Sequence, residues 1–329
     1  MLYGDIPFLV SAAFIVLGLW ALTWSANRFV DASSSLANRL GVAPFIIGMV
    51  VIGFGTSAPE LAVSAISAAS GHSEIALGNA WGSNIYNIAV ILGVAAMISP
   101  IIVRPRSAFY SAAMLIAISL ISGALAWFGG GLSRLDAVIL LLLFAALLPL
   151  SCWLEKQSGS ESNGEAKTAD VSCPWLVALV SLALLVGSSH ILVWGAVDLA
   201  RQFHVSELLI GLTIVAAGTS LPELASAIAA ARKGQHDFVV GNIVGSNFFN
   251  ALAVVGVSGA IKPFDITSAG VFVRDLPAMV LLSLSIAVFA FRRGSWKAES
   301  RIGKWKGALW ILSFLFYLAI LIWQESKMV

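Results

Sequence analysis

The stretch GTSAPELA at residues 55–62 recurs as GTSLPELA at 218–225. Working outward, residues 55–93 align with 218–256 at a constant offset of 163 and without a gap. Sixteen of the 39 positions are identical, among them Thr56, Ser57, Pro59, Glu60, Asn79, Ser83, Asn84 and Asn87. Chance in an apolar background would repeat Ala, Leu and Gly. It would not repeat a glutamate, a proline and three asparagines, so the chain carries an internal repeat.

The surroundings of the repeat are apolar. The 329 residues are 59% hydrophobic and 11% charged, against roughly 25% charged in soluble domains. Ten apolar segments are expected at 7–27, 43–70, 75–99, 107–128, 135–154, 174–196, 206–231, 238–261, 272–291 and 307–324. Lipid cannot satisfy open backbone groups, so each is expected to be helical. The first begins near Pro7 with no basic residue before it, which reads as a span and not as a signal peptide. The polar stretch EKQSGSESNGEAKTAD at 155–170 has no apolar periodicity and reads as a flexible linker. The expected organisation is a five-helix repeat at 1–154, a short cytoplasmic linker at 155–173 and a second five-helix repeat at 174–329. An odd number of spans per half makes the second half enter from the opposite face, an inverted repeat. The fold class is thus an all-α membrane protein, with ten transmembrane helices in two inverted five-helix repeats.

Fourteen of the 19 Lys and Arg fall in loops after odd-numbered spans. Those loops are expected on the cytoplasmic side, and both termini on the non-cytoplasmic side, of what is expected to be a bacterial inner membrane. A net charge of +2 offers no face for nucleic acid, and nothing points to an obligate protein partner beyond the bilayer. Cys152 and Cys173 flank the linker and are expected to be free thiols. No Walker A or other enzyme motif and no cofactor signature appears.

The chemistry sits in the two motifs. Of 17 acids, only Glu60 and Glu223 lie mid-span. A charge at bilayer centre costs at least about 2.5–3.5 kcal/mol, and two facing carboxylates repel. They are tolerable if protonated, or with a cation between them. Pro59 and Pro222 lack an N–H, so the carbonyls of Gly55 and Gly218 lose helical partners and each helix is expected to break there. The C-terminal end of a half-helix then offers carbonyl oxygens. Thr56 and Glu60 share a face. Asn79, Ser83 and Asn87 form an i,i+4 stripe on the next span, copied as Asn242, Ser246 and Asn250. Such hard oxygens suit Na+ and Ca2+, not Zn2+ or Cu+.

GTSAPE with GNAWGSNIYN at 78–87, and GTSLPE with GNIVGSNFFN at 241–250, resemble the α-repeats of the sodium/calcium exchanger family of calcium:cation antiporters. The resemblance implies ion sites clustered at the midplane. By position, Glu60 and Glu223 match the bridging carboxylates, and Thr56 and Thr219 match ligands that use carbonyl and hydroxyl. Ser57, Ser83, Ser220 and Ser246 match sodium ligands, and Asn87 and Asn250 the lower shell. The carbonyls of Gly53 and Ala216 are further contributors. Neutral Asn250, where some relatives carry Asp, implies no potassium co-transport. The short linker has no room for a regulatory domain.

The function so implied is a secondary Ca2+/Na+ antiporter that extrudes Ca2+ by alternating access. A Ca2+/H+ antiporter remains an alternative, as do a cation channel and a membrane protein that transports nothing. Plainer roles compete for individual residues. Ser57-x-x-Glu60 also fits a capping box. Gly78, Gly82, Gly241 and Gly245 fit small-xxx-small packing. Asn84 and Asn247 fit an interhelical hydrogen bond. Glu74 and Asp237 fit helix N-terminal acids, or an ion-attracting vestibule. His72, His190, His204 and His236 show no ligand spacing, and the 11 Trp fit interface anchors or core. The basic run Arg292–Lys306 fits a topology signal beside anionic lipid.

Overall fold

A computed structural model describes residues 7–71, 73–157, 171–204, 216–266, 270–291 and 299–325. The helices are α1 (Phe8–Leu40), α2 (Pro44–Thr56), α3 (Ala58–Ala69), α4 (Ile75–Ile98), α5 (Pro105–Phe128) and α6 (Arg134–Gln157). They continue as α7 (Pro174–Gln202), α8 (Ala216–Thr219), α9 (Leu221–Arg232), α10 (His236–Ile261), α11 (Val271–Ala290) and α12 (Lys304–Gln324). Eight of these are long and apolar enough to cross a membrane, and α2 with α3 makes a ninth, bent by 42° at Ser57. The expected span at 206–231 begins in residues 205–215, outside the described residues. Its remainder forms α8 and α9, broken at Ser220 just as the first copy is broken at Ser57.

The repeat in sequence is a repeat in structure. Helix α3 at 58–69 and helix α9 at 221–232 stand at the same offset of 163. The direction of the copies follows from packing. Helices α3 and α4 form a hairpin, tied by Asn79 Nδ2 donating to Ser64 Oγ at 3.0 Å. Helix α4 therefore runs against α2. Its counterpart α10 runs with α2: Gly241 lies against Phe45, Gly245 against Met49, and Gly53 against Ser246. Equivalent helices α4 and α10 thus point in opposite directions, which is the inversion.

Glycine makes this approach possible. A Cβ on Gly241 would stand 2.3 Å from the Phe45 carbonyl oxygen, and one on Gly245 2.2 Å from that of Met49. This is the small-residue packing expected for the second copy. For Gly78 and Gly82 the equivalent neighbours fall at 208–212, outside the described residues. Helix α10 is the most enclosed span; every residue of its apolar window is buried. Large apolar residues exposed on α1 and α7, such as Trp20, Leu17, Trp175 and Leu179, are suited to lipid.

Two short antiparallel ribbons fasten the repeats together. Ile101–Val103 pairs with Ser300–Ile302, and Gly131–Leu132 pairs with Phe264–Asp265. Residues 101 and 264 are repeat equivalents, so the two ribbons are counterparts of one another.

Helix α1 is longer than expected. Residues 28–40 read as loop but continue the helix to Leu40, where Gly41 at φ 62° ends it and its N–H bonds Asn38 O. The 33 residues of α1 span about 50 Å, so the helix tilts or projects beyond a roughly 30 Å core. Its C-terminal part is held by Lys233, whose Nζ donates to Asp31 Oδ1 at 2.7 Å and Asn27 O at 2.8 Å. A charged end can continue the helix because its polar face meets these partners. Helix α6 likewise runs to Gln157, into the stretch read as linker, because buried Glu155 accepts from Ser107 Oγ at 2.9 and 2.7 Å. Linker residues 158–170, His72, the basic residues Arg292, Arg293 and Lys297, and the side chain of Glu74 lie outside the described residues.

Candidate functional site

The breaks at Ser57 and Ser220 bring the two motifs together. Ser57 has φ −80° and ψ 5°, and Ser220 φ −93° and ψ 10°. Each residue stands at the N-cap of a half-helix whose first turn carries proline, but neither side chain caps it. The hydroxyls instead cross to the other repeat. Ser57 Oγ donates to Glu223 Oε1 at 3.1 Å, and Ser220 Oγ donates to Glu60 Oε1 at 3.0 Å. The capping-box reading of Ser57-x-x-Glu60 therefore gives way to a reciprocal pairing across the pseudo-twofold axis.

Both glutamates are buried, Glu60 at 1% exposure and Glu223 at 0%. In each, Oε2 is buried without a hydrogen-bond partner. Buried acceptors are normally satisfied, because an unpaired polar group in a low-dielectric interior is costly. The two orphans match across the repeats, one on each motif glutamate. Among the described residues no cluster of three His, Cys, Asp or Glu forms, so any further ligands are hydroxyl, amide or carbonyl oxygens.

Most of the other expected residues lie in the interior. Thr56, Ser57, Ser83, Asn87, Ser220, Ser246 and Asn250 are all buried. Thr56 Oγ1 bonds Ile52 O at 2.9 Å and lies 3.3 Å from Asn242 Oδ1. Ser246 Oγ donates to Gly53 O at 3.3 Å, so that carbonyl faces the opposite repeat. Asn87 opens a π-helical turn at Asn87–Leu92, and Asn250 lies in its counterpart at Phe249–Val254. Such turns add a residue to the helical repeat and recur at functional sites. Asn87 Oδ1 and both polar atoms of Asn250 are buried and unpartnered. Thr219 is half-buried at the end of α8. Ala216 begins α8, and its side chain lies outside the described residues.

Six asparagine and serine residues take structural roles. Asn79 Nδ2 donates to Glu60 O at 3.3 Å as well as to Ser64; Asn242 Nδ2 donates to Glu223 O at 3.4 Å and to Ser226 Oγ at 3.1 Å. They brace the glutamate-bearing turns. The sequence places Asn79 and Asn242 in the ligand stripe, but their donor ends are directed at backbone. Ser64 and Ser226 are not repeat equivalents, which hid them from the alignment. Asn84 and Asn247 bond each other's backbone carbonyl at 3.2 Å, the interhelical role expected of them. Asp237 stands at the start of α10 and lines a small crevice with Arg104, Ser107 and Glu155.

The family model "Sodium/calcium exchanger protein" matches residues 10–153 and 173–323. The chain belongs to the sodium/calcium exchanger family. This exchanger is similar to the inner membrane protein YrbG of Escherichia coli, 36% identical over 98% of this chain and 99% of that one. It is also similar to the sodium/calcium exchanger MaX1 of Methanosarcina acetivorans, 27% identical over 95% of this chain and 98% of the other. Among solved structures it matches the sodium-calcium exchanger NCX_Mj in a form soaked with Na+ and Sr2+. The TM-score is 0.80 and the identity 29%, over 95% of this chain and 99% of that one. The exchanger is a multi-pass membrane protein of a family of ion transporters whose substrates are Ca2+ and Na+.

Proposed function

We propose that this exchanger moves Ca2+ out of the cytoplasm in return for Na+, by alternating access to one cluster of sites between Glu60 and Glu223. The observation that carries the reading is the set of orphaned acceptors: Oε2 of both glutamates, with Oδ1 of Asn87 and of Asn250. A cation bound among them supplies the missing partner to all four. Two carboxylates balance one Ca2+, or share their charge with several Na+ ions. Competition for one set of oxygens makes exchange obligatory. The ligand set is Glu60, Glu223, Thr56, Thr219, Ser57, Ser220, Ser83, Ser246, Asn87 and Asn250, with the carbonyls of Gly53 and Ala216.

Burial of the site supports alternating access over a channel. Apart from Thr219 and Ala216, the proposed side-chain ligands are at most 6% exposed, so an open pore through them is absent from this conformer. Energy comes from the ion gradient, and the protein is a transporter, not an enzyme. The halves 1–154 and 174–329, joined by the linker 155–173, supply one motif each, with both termini on the outer face of an inner membrane. The relatives' names support the ion pair: MaX1 and NCX_Mj are each named as sodium/calcium exchangers.

The test is uptake of radiolabelled Ca2+ into proteoliposomes. An outward Na+ gradient should drive accumulation, and a pH gradient without Na+ should not. Accumulation driven by the pH gradient alone would replace Na+ with H+ as the counter-ion. Uptake that follows membrane potential with neither gradient would replace the antiporter with a channel.

A further inference from the structure

Three pairs of side-chain bonds recur around the pseudo-twofold axis. Ser57 and Ser220 cross to opposite glutamates; Asn79 and Asn242 brace opposite turns; Asn84 and Asn247 bond each other's carbonyl. The amide of Asn87 makes a bond that its counterpart does not. Its Nδ2 donates to Asn247 Oδ1 at 2.9 Å. The mirror bond would run from Asn250 Nδ2 to Asn84 Oδ1, and both of those atoms are buried without partners.

Asn247 is therefore saturated on both ends, while Asn84 is not. Its Nδ2 is spent on Asn84 O, which fixes its Oδ1 toward Asn87. With its Nδ2 engaged, planar Asn87 must point Oδ1 the other way, and that oxygen is left buried and unpaired. A primary amide can present an acceptor or a donor. Only the acceptor can meet a cation, and a donor turned inward would repel it. Asn250 has no such restraint.

We propose that Asn247 is a positioning residue for the ion site, holding the Asn87 amide so that its oxygen faces the transported cation. The proposal rests on Asn87 being a ligand in the reading above. Asn247 touches no ion itself; it acts through Asn87. The two repeats then contribute unequally: Asn87 offers a preset oxygen, and Asn250 an amide that reorients.

The test compares Asn247→Leu with its mirror, Asn84→Leu, in Na+-driven Ca2+ uptake by full-length protein in proteoliposomes. Both variants lose one bond to a helix carbonyl, but only Asn247→Leu frees Asn87. Asn247→Leu should raise the apparent KM for Ca2+ about tenfold, the worth of one oriented hydrogen bond, with the maximal rate retained. Asn84→Leu should stay within about twofold, since its Oδ1 orients nothing. Asn247→Asp keeps an oxygen facing Asn87 and, protonated in this buried setting, still donates to Asn84 O; it should restore KM to within about threefold. In an Asn87→Ala background, Asn247→Leu should add nothing. Equal effects of Asn247→Leu and Asn84→Leu, or a full additional tenfold in the Asn87→Ala background, overturn the proposal and leave the site reading standing. If Asn87→Ala alone leaves KM unchanged, the site reading fails and the proposal with it. Should Asn247→Leu fail to assemble, Asn247→Asp carries the test: a tenfold rise there, equal to that of Asn87→Ala, refutes the positioning role.

Discussion

Substituting Glu223→Gln should make the ion-free protein more stable and its Ca2+ binding much weaker. Gln is nearly isosteric, and its oxygen can still accept from Ser57 Oγ, the bond now made by Glu223 Oε1 at 3.1 Å. What changes is the second position, where an amide N–H2 replaces an oxygen that has no partner. In the ion-free state the substitution removes a buried charge whose cost at bilayer depth is about 2.5–3.5 kcal/mol, or less in proportion to the fraction protonated. In the Ca2+-bound state it leaves one carboxylate against a divalent ion. Stripping one partner from a buried charge pair costs about 3–5 kcal/mol, which at 1.4 kcal/mol per decade is roughly a hundred- to several-thousand-fold in affinity. The two effects have opposite signs, and a merely misfolded variant cannot produce both.

The assay is thermal unfolding of detergent-solubilised protein, with and without Ca2+. The native protein should gain stability with Ca2+ as RT ln(1 + [Ca2+]/Kd). Glu223→Gln should unfold at a higher temperature than the native protein in chelator, and show no Ca2+-dependent shift at concentrations saturating the native site. Glu60→Gln should behave in the same way, since its Oε1 and Oε2 stand in the same relation to Ser220. Ca2+ affinity within threefold of native in either variant refutes the assignment of a shared two-carboxylate site.

Two further outcomes follow from packing and bracing. Gly245→Ala places a methyl 2.2 Å from the Met49 carbonyl oxygen, with Met49 Cα also at 2.7 Å; backbone on both sides cannot yield, so stability should fall by about 1–3 kcal/mol or more, seen as a lower unfolding temperature. Asn79→Ala and Asn242→Ala each remove two donations, including the one to the glutamate carbonyl. Each should lose about 1–3 kcal/mol of stability together with exchange rate, measured by unfolding and by Na+-driven uptake.

Most of the frame was readable from residue type and spacing. An apolar period sets the spans, Pro59 and Pro222 set the breaks, and a gapless offset of 163 relates the copies. What could not be read is what depends on the other repeat. From sequence, Ser57 is three residues from Glu60 and looks like its cap; in space its hydroxyl belongs to Glu223. The helical extension past Arg28 was hidden because Asp31 there meets Lys233, some 200 positions later in the chain. The ribbons of two or three residues are too short to show a strand period.

The asymmetry at Asn87 makes the same point more sharply. Asn84-x-x-Asn87 and Asn247-x-x-Asn250 are the same pattern, and no property of either segment alone distinguishes them. One bond is nevertheless made in one copy alone: Asn87 Nδ2 donates to Asn247 Oδ1, while Asn250 Nδ2 and Asn84 Oδ1 are unpaired. A transporter built from inverted copies must present its site first to one face and then to the other. Perfect equivalence of the copies would give the two faces the same ligand field. On the proposal above, the Asn87–Asn247 bond gives one repeat a fixed oxygen and the other an adjustable one, between two carboxylates that stay symmetric.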